Sequence, residues 1–473
     1  MSRILMVSSE AAPFAKTGGL ADVLGALPPE LNALGDTCAV VLPRYGSIDV
    51  SKAEKVYQGL RVYLGGGFYE CDIYRQVLRG TTFFFVEHLG LFGRDGFYGD
   101  RYGEYGDNHI RYALLCGAAI GIARHLFPTD IFHCHDWQAG LLPLFLKNFL
   151  VGDPAFYGAK TVFTIHNLGY QGLVPRDKLW EAGVEDRFYR PDLLEFNGAA
   201  SLLKSGIVFA DAITTVSPNY AREIQTPEYG FGMDGLLRAR SASLTGILNG
   251  CDYSEWNPET DIYIAQSYSA QDPSGKSACK EALLTEFGME SRIDRPLIGI
   301  VSRLAHQKGF DLVRGVLDEM LGWRDASLIV LGSGDTDIEN MFWYFAGKYR
   351  DRMIFWQGYN NGLAHRIEAG ADLFLMPSRY EPCGLNQMYS LKYGTLPVVR
   401  ATGGLDDTVD GETGFKFWRF DSWDLAECLR HALAAYSDKP RFAQMQETAM
   451  QRDYSWKRSA ESYSRLYKDL LSD

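Results

Sequence analysis

Cysteines are few in this sequence, and they are not paired. Eight are spread over 473 residues, and no two stand in a Cys-x-x-Cys pair. This pattern is typical of reduced thiols in a cytoplasmic protein and argues against a disulfide framework. His133-Cys134-His135-Asp136 has the residue types of a metal site, but adjacent strand residues point to opposite faces and no second set gives tetrahedral spacing. We therefore expect no metal.

Long apolar runs are lacking too. The longest, residues 114–123, falls well short of the roughly 20 residues that cross a bilayer. The stretch MSRILMVSSE has one basic residue and a short apolar run, which does not match a signal peptide. We expect a soluble, cytoplasmic protein with no membrane partner.

The sequence has no surplus of positive charge. It holds 47 basic and 59 acidic residues, a formal net charge of −12. This balance argues against binding a nucleic-acid backbone by bulk electrostatics. Because 46% of the residues are hydrophobic, the chain can bury a large core, and its length favours two or three domains.

What the sequence does contain is a repeated alternation of strand and helix patterns. Such alternation predicts an α/β fold with parallel sheets. The predicted strands are Arg3–Ser8, Cys38–Leu42, Thr81–Val86, Ile131–His135, Lys160–Ile165, Ala212–Val216, Leu297–Val301, Ser327–Leu331, Met353–Trp356, Leu373–Met376 and Leu396–Val399. The alternation pauses between Gly250 and Pro296, apart from one helical stretch, Lys280–Phe287. We expect two doubly wound domains, residues 1–250 and 260–450, facing a deep interdomain cleft.

Two segments echo each other, KTGGLAD from Lys16 and ATGGLDD from Ala401. We expect them at corresponding strand-to-helix corners of the two domains, opening helices at Leu20–Leu27 and from Thr408 onward. In the first, a lysine and two bare glycine backbones suit an anion at a helix N-terminus, with a simple capping turn as the alternative. In the second, alanine replaces the lysine, so we expect mainly packing and helix-start duties.

Two further loops follow predicted strands. Arg303 and Lys308 lie five residues apart at the end of LIGIVS, where two cations suit a diphosphate leaving group, and a solvated loop is the alternative. Glu381 precedes Pro382, and Gly384-Leu385-Asn386 is expected to begin a helix with free N–H groups. A purely structural turn is the alternative there.

Polar and aromatic residues also gather at two strand ends of the first domain. Asp136, Trp137, His166 and Asn167, with the neighbouring histidines, are typical of sites that grip sugar hydroxyls and stack on pyranose faces. Core histidines satisfied by the backbone are the alternative, and the stronger one for His133. Gly332-Ser333-Gly334 lacks the third glycine of a dinucleotide motif, and Gly65-Gly66-Gly67 indicates a hairpin or loop.

These motifs together resemble the bacterial glycogen synthases and plastid starch synthases, which add glucose from a nucleotide sugar to an α-1,4-glucan. The resemblance runs in order through nearly the whole chain. It is carried by SSEAAPFAKTGGLADVLGALP, HCHDWQAGLLP, FTIHNLGYQG, TTVSPNYAREI, ILNGCDYSEWNP, VSRLAHQKGFDL, LGSGD, SRYEPCGLNQMYSLKYGTLPVVRATGGLDDTV and DYSWKRSAESY.

The resemblance implies a GT-B fold of two Rossmann-like domains, with a C-terminal helix at residues 451–473 that returns to the first domain. It implies transfer from ADP-glucose with retention at the anomeric carbon, without a metal or a further cofactor. ADP-glucose and an α-1,4-glucan, glycogen or maltosaccharide, would be the partners. The choice between ADP-glucose and UDP-glucose stays open on the residues alone.

The resemblance also assigns residues. The implied catalytic set is Glu381, His166, Arg303, Lys308 and Asp136. The implied donor contacts are Lys16, Gly18, Gly19, Arg303, Lys308, Tyr359, Cys383, Leu385 and Asn386, with Tyr359 stacking on the adenine. The implied sugar or acceptor contacts are Asp22, Trp137, Asn167 and Asn249. Retaining GT-B enzymes often carry a second Glu eight positions after the first, and Tyr389 stands there in this sequence.

Two other classes remain possible from the sequence. A glucan phosphorylase would share the architecture but needs a lysine-bound pyridoxal phosphate. A catalytically silent glucan-binding protein is the second alternative, and the intact set of Lys16, Arg303, Lys308 and Glu381 argues against it.

Overall fold

A computed structural model describes residues 2–472, and they form two compact units. The first unit contains the residues up to Val216, residues 221–250 and the stretch from Trp456 onward. The second contains residues 217–220 and 251–455. Among the described residues, no helix is both long and apolar enough to cross a membrane.

The first unit is built on a nine-stranded sheet. Its strands, with those of two small side sheets, are β1 (Arg3–Val7), β2 (Thr37–Pro43), β3 (Glu54–Leu64), β4 (Gly67–Leu78), β5 (Thr81–Glu87), β6 (Gly99–Asp100), β7 (Gly103–Glu104), β8 (Ile131–His135), β9 (Lys160–Ile165), β10 (Leu173–Val174), β11 (Glu195–Phe196), β12 (Ala199–Ser201), β13 (Ala212–Thr215) and β14 (Leu244–Gly246). The helices up to residue 250 are α1 (Gly19–Ala33), α2 (Leu89–Phe92), α3 (Asn108–His125), α4 (Leu142–Asn148), α5 (Leu202–Phe209), α6 (Pro218–Glu223) and α7 (Asp234–Ala239). Short 3-10 turns lie at Trp137–Ala139, Pro154–Phe156, Arg176–Lys178, Trp180–Ala182, Asp186–Phe188 and Ser241–Ser243.

The strand order of this sheet is β14-β13-β9-β8-β1-β2-β5-β4-β3. The strands from β14 to β5 are parallel, and β4 and β3 add an antiparallel edge. From β1 the chain winds outward through β2 and β5, then returns to the other side at β8. The carboxyl ends of β1 and β8 therefore flank the point where the winding direction reverses, which is where such sheets bind ligands.

The second unit is built on a six-stranded parallel sheet. Its strands are β15 (Leu297–Val301), β16 (Ser327–Gly332), β17 (Met353–Gln357), β18 (Leu373–Met376), β19 (Leu396–Arg400) and β20 (Phe415–Phe417). Its helices are α8 (Ser274–Glu286), α9 (Phe310–Arg314), α10 (Thr336–Lys348), α11 (Asn361–Gly370), α12 (Asn386–Lys392), α13 (Gly403–Thr408), α14 (Ser422–Ser437) and α15 (Lys439–Gln451), with 3-10 turns at Glu290–Arg292 and His306–Lys308 and a π-helix at Asp318–Trp323. The order β17-β16-β15-β18-β19-β20 is the 3-2-1-4-5-6 order of a Rossmann sheet. The reversal point lies between β15 and β18.

The last helix, α16 (Trp456–Ser472), belongs to the first unit. Its buried residues Trp456, Ala460, Tyr463 and Tyr467 recur at helical spacing and form one stripe. The close approach is fixed at Gly250, where an added Cβ would lie 2.5 Å from the Cα of Trp456. The stripe completes the core of the first unit.

Every predicted strand is present, within one residue of its expected ends. The prediction for Gly65-Gly66-Gly67 is also correct, because Gly65 and Gly66 turn the β3–β4 hairpin with φ values of 58° and 76°. Four strands of the two large sheets, β3, β4, β14 and β20, were not expected, nor were the short strands β6, β7, β10, β11 and β12 of the side sheets. The helix predicted at Leu20–Leu27 is longer, since α1 continues through Pro28 and Pro29, and the one predicted at Lys280–Phe287 lies within a longer α8, apart from its last residue.

Two expectations about the repeated motif are wrong. The second helix does not start at Thr408 but ends there, because it begins within the motif at Gly403. The motifs also do not occupy corresponding corners: KTGGLAD follows β1, the first strand of its sheet, whereas ATGGLDD follows β19, the fifth strand of its own. The counterpart of the first motif is the loop of Arg303 and Lys308 after β15.

A buried ion pair of the second unit links α8 to the loop before β18 and to α14. The Nζ of Lys280 on α8 donates to Oδ2 of Asp372 (2.7 Å), to the Arg295 carbonyl (2.7 Å) and to the Tyr436 hydroxyl (3.0 Å). Burial lowers the pKa of Lys280, and Asp372 and Tyr436 raise it, so that the net pKa lies above its ordinary value. The lysine is therefore charged and held by its carboxylate.

We expect Asp372→Ala to lower the free energy of unfolding by about 3–5 kcal/mol, because it leaves a buried ammonium without its counter-ion. The matched control is Glu286→Ala on α8, the helix of Lys280. It removes a partly exposed ion pair with Arg366 and should lower the free energy of unfolding by less than about 1 kcal/mol. Urea unfolding of both variants measures the difference. Equal losses in the two variants would contradict the assigned role of Asp372.

Candidate active site

The loop after β1 is held in place by hydrogen bonds to a buried carboxylate. Glu10, 3% exposed, accepts hydrogen bonds from the backbone N–H of Thr17, from its hydroxyl (2.6 Å) and from the Tyr98 hydroxyl. Thr17 stands between Lys16 and Gly18, so this carboxylate fixes the glycine turn that begins α1. The sequence prediction missed Glu10, although an acid placed just before KTGG was a possible signal.

Lys16 and Asp22 form an ion pair across the first turn of α1. Their Nζ and Oδ1 atoms lie 2.6 Å apart, and the lysine side chain is half exposed. Gly18 is the N-cap residue and Gly19 the first residue of the helix. The structure thus brings together the predicted residues of this motif, with the ammonium close to the helix start.

Asp136, directly after β8, has a strained backbone. Its φ of 55° and ψ of −174° lie in a region that is populated almost only by glycine. Its Oδ1 accepts from the backbone N–H of His166 (2.7 Å) and, at 3.5 Å, faces that of Asn167. Burial raises the pKa of Asp136 to about 7. The strained aspartate therefore ties the end of β8 to the loop after β9.

Three histidines stack beside this aspartate. His133 lies between the hydroxyls of Tyr467 (2.8 Å from Nδ1) and Thr164 (2.6 Å from Nε2). It is a core histidine, as interpreted, but the expectation of backbone partners is wrong, because both partners are side chains of neighbouring elements. Its ring lies 4.1 Å from that of His135, and Nδ1 of His135 lies 2.9 Å from Nε2 of His166. Burial lowers the pKa of His133 and of His166 to about 3, so both rings are neutral near pH 7.

Trp137 and Asn249 are the remaining predicted sugar contacts of the first unit. Trp137 packs edge-on against Tyr112 at 5.0 Å and lies over Gly172, where an added Cβ would come within 2.5 Å of the indole. Asn249 is buried, and within residues 2–472 its side-chain oxygen has no hydrogen-bond partner. Asn167 accepts from the backbone N–H of Gly169 (3.0 Å) and is partly exposed.

In the second unit, the loops at the reversal point carry three predicted charged residues, Arg303, Lys308 and Glu381. Lys308, from the loop after β15, donates to Glu381, from the loop after β18, with 2.7 Å between Nζ and Oε2. The Ser378 hydroxyl donates to the same oxygen at 3.0 Å. Glu381 is 6% exposed, whereas Arg303 is exposed. The two loops are thus joined by a nearly buried ion pair.

The second glycine motif presses against the Glu381 loop. Gly403 has a φ of 45°, and a Cβ there would lie 1.9 Å from the carbonyl oxygen of Glu381. A Cβ at Gly404 would lie 2.2 Å from the carbonyl oxygen of Cys383. Since only glycine permits this approach, the expected packing and helix-start role of ATGGLDD agrees with the structure.

The other residues predicted to contact the sugar donor lie in this loop, at the start of α12, or after β17. Cys383 is buried, and Leu385 is the N-cap residue of α12, as predicted. Asn386 donates through Nδ2 to the carbonyl oxygen of Val301 (2.7 Å), which ties α12 to the end of β15. Tyr359, 77% exposed, donates through its hydroxyl to Asn361 (2.8 Å).

An aromatic stack occupies the position of the missing second glutamate. Tyr389 lies parallel to Trp256 with ring centroids 4.1 Å apart, and Trp256 lies parallel to His365 at 3.8 Å. His365 in turn contacts Asp261, with 2.8 Å between Nδ1 and Oδ2. Tyr389 is therefore a packing residue.

On the surface, His306, Asp335 and Asp337 each place a possible ligand atom within 4.8 Å of the others. Asp335 accepts from the backbone N–H of His306 (3.1 Å) and is the N-cap residue of α10. Because these contacts explain the cluster as loop and helix-start structure, we assign it no metal role.

Comparison with known proteins covers both units. A family model described as the starch synthase catalytic domain matches residues 3–239, and one described as glycosyl transferases group 1 matches residues 295–435. A glycogen synthase of Koribacter versatilis is 46% identical over 474 residues, covering 98% of this chain and 97% of the relative. A glycogen synthase of Myxococcus xanthus is 46% identical, covering 99% of this chain and 100% of the relative.

Solved structures give the same relationship. The catalytic domain of starch synthase IV from Arabidopsis thaliana, bound to ADP and acarbose, has a TM-score of 0.91 and 31% identity, with 100% of both chains covered. Sucrose-phosphate synthase from Thermosynechococcus elongatus, at 16% identity and a TM-score of 0.64 over both full chains, shares the fold. The predicted GT-B fold is confirmed, and the chain belongs to the family of the bacterial glycogen synthases and starch synthases.

Proposed function

We propose that this protein transfers glucose from ADP-glucose to the non-reducing end of an α-1,4-glucan with retention of configuration. The observation that carries the proposal is similarity to glycogen synthases over almost the full length of the chain. The Arabidopsis starch synthase, bound to ADP, supports an adenine nucleotide as the leaving group. No cofactor beyond the donor is required in this proposal.

Arg303 and Lys308 bind the distal phosphate of the donor in this proposal. Arg303 is exposed at the end of β15, and Lys308 is already fixed by Glu381 at 2.7 Å. Two positioned cations stabilise the charge that builds on the leaving phosphate as the glycosidic bond breaks. Lys16, Gly18 and Gly19 add donor contacts from the start of α1, Tyr359 stacks on the base, and Leu385 and Asn386 offer backbone N–H groups at the start of α12.

The acceptor 4-hydroxyl attacks the same face of the sugar from which the phosphate leaves, and the phosphate oxygen takes its proton. Glu381 supports the positive charge at the anomeric centre, and Cys383 lines the sugar pocket beside it. The contacts from Ser378 and Lys308 hold this carboxylate in place before substrate binds. Such preorganisation avoids rearrangement of dipoles during the reaction.

His166 contacts the transferred glucose as a neutral ring, since burial lowers its pKa to about 3. Asp136 acts through the backbone of His166, which donates to its Oδ1 at 2.7 Å. Asp22, Trp137, Asn167 and Asn249 contact donor or acceptor hydroxyls. The side-chain oxygen of Asn249 can accept a hydrogen bond from a sugar hydroxyl, because it is buried and has no partner within residues 2–472.

Release of nucleoside diphosphate tests this function directly. We expect ADP release from ADP-glucose that depends on added glycogen or maltosaccharide, and a preference for ADP-glucose when UDP-glucose competes in the same reaction. A preference for UDP-glucose would contradict the donor assignment. No release would indicate a silent binding protein, and glucose-1-phosphate release with the absorbance of bound pyridoxal phosphate would indicate a phosphorylase.

We expect Glu381→Ala to lower kcat by about 10²–10³-fold, because it removes a fixed charge that acts mainly in the transition state. The affinity for ADP-glucose should change less than kcat, because Arg303 and Lys308 keep the charges that bind the phosphate. The control is Asp311→Ala, which removes an exposed pair with Arg379 next to the same loop. Turnover retained in Glu381→Ala would disprove the role of Glu381, and a trapped covalent glucosyl-enzyme would disprove the mechanism.

We expect Asp136→Asn to stabilise the protein relative to wild type at pH 8 more than at pH 4. The folded state raises the pKa of Asp136 from 3.8 to about 7, so its contribution to stability is present below pH 4 and lost as the pH rises to 7. The difference in Tm between variant and wild type should therefore grow between these values.

A second aspartate of the same unit provides a control of opposite sign. The Arg3 guanidinium holds the pKa of Asp130 below its ordinary value, so its contribution is present at neutral pH and lost on acidification. Asp130→Asn should therefore be less stable than wild type at pH 7, with the difference shrinking towards pH 3. Parallel pH dependence in the two variants would contradict the assignment.

A further inference from the structure

His135 has no role in the proposed reaction, yet it lies directly against His166. It is the last residue of β8 and is fully buried, with its Nδ1 at 2.9 Å from Nε2 of His166. The neighbouring strand β9 ends one residue before His166, so adjacent parallel strands place the two rings together. The motif HCHDW therefore contributes a second contact to the His166 loop besides that of Asp136.

The contact between the two imidazoles has a direction. Burial lowers the pKa of His166 to about 3 and that of His135 far below its ordinary value, so both rings are neutral. Each neutral ring carries one proton. One of the two facing nitrogens must therefore donate and the other accept.

The remaining nitrogen of His135 decides the direction. Its Nε2 is buried and has no partner within residues 2–472. If His135 accepted from His166, this Nε2 would carry a buried proton with no acceptor. If His135 donates, Nε2 is an unpaired acceptor instead, which occurs more often in proteins than an orphaned N–H. The second arrangement is favoured, with the proton of His135 on Nδ1.

The same argument fixes the proton of His166. Because its Nε2 accepts from His135, its single proton lies on Nδ1. The described residues 2–472 provide no hydrogen-bond partner for that Nδ1, and the side chain is partly exposed. The nitrogen left for a ligand is thus a hydrogen-bond donor.

We infer that His135 is a positioning residue that holds His166 in the Nδ1–H tautomer, so that His166 donates a hydrogen bond to an oxygen of the transferred sugar. This inference rests on the proposed contact between His166 and glucose. It assigns His166 a donor's role and excludes that of a general base, because the only free nitrogen already carries the proton.

Two substitutions separate the hydrogen bond from the packing. His135→Leu keeps much of the side-chain volume but removes the N–H group that donates to His166. His135→Asn leaves a cavity but can place an amide N–H where Nδ1 was. We expect kcat to fall about tenfold or more in His135→Leu and to stay within about threefold of wild type in His135→Asn. The KM for ADP-glucose should change little in both variants. A purely structural role predicts that kcat follows stability instead, so kcat equal in the two variants, or lower in His135→Asn, would overturn the inference.

The tautomer itself is visible by nitrogen NMR. In protein labelled with 15N-histidine, His166 should show a protonated Nδ1 and an unprotonated Nε2, assigned by their loss in His166→Gln. His135→Leu should release this preference, and His135→Asn should retain it. A protonated Nε2 in the wild-type protein would overturn the inference. This measurement needs no substrate, so it separates failure of the inference from failure of the proposed function.

Tyr467→Phe is the matched control. It removes a buried contact of the same stack, that between the Tyr467 hydroxyl and Nδ1 of His133, without touching the pair of His135 and His166. We expect a lower Tm with unchanged kcat and an unchanged His166 spectrum. A loss of kcat as large as that of His135→Leu would show that any disturbance of the stack reduces activity, which contradicts a specific role for His135.

Discussion

The reversal of winding in each parallel sheet is the constraint on which the positions of the candidate residues depend. In both units the chain leaves the central strand, builds outward, and returns to its other side, so the carboxyl ends of two neighbouring strands diverge to different helices. The loops after β1 and β8 meet this condition in the first unit, and those after β15 and β18 in the second. Lys16, Asp136, Lys308 and Glu381 lie on these four loops. One rule of chain winding thus accounts for the position of each residue.

Buried carboxylates hold these loops in shape. Glu10 pins Thr17, Asp136 pins the backbone of His166, and Glu381 joins Lys308 to Ser378. A buried carboxylate is costly unless its oxygens are satisfied, and here the satisfying donors belong to the loops that must be fixed. Each loop must therefore keep its donor groups in position, because moving them would leave a buried carboxylate without hydrogen bonds.

The sequence predicted those parts that depend on local pattern. The strands are short apolar runs with clear ends, and Arg303, Lys308 and Glu381 lie in the loops that follow them, so their positions could be inferred without a structure. The turn at Gly65-Gly66-Gly67 was predicted, but the strands β3 and β4 on either side of it were not, because they are half exposed and lack the continuous apolar runs of the other strands. The role of Glu10 was missed because nothing in the local sequence shows that this side chain is buried, where it accepts from Thr17 nearby and from Tyr98, which is remote in the chain. The repeated motif led to a wrong prediction of corresponding positions. Glycine turns of this kind occur wherever two backbones come close at a strand-to-helix connection, whatever the strand order.

The discontinuity of the first unit has a consequence for its biosynthesis. The helix α16 supplies the stripe of Trp456, Ala460, Tyr463 and Tyr467, but the ribosome makes it only after residues 251–455 of the other unit. Until then the apolar surface that α16 covers, including the face of α1, has no partner from its own chain. The first unit, although translated first, is thus the last to complete its core, and a nascent chain stalled before Trp456 would expose a surface prone to aggregation.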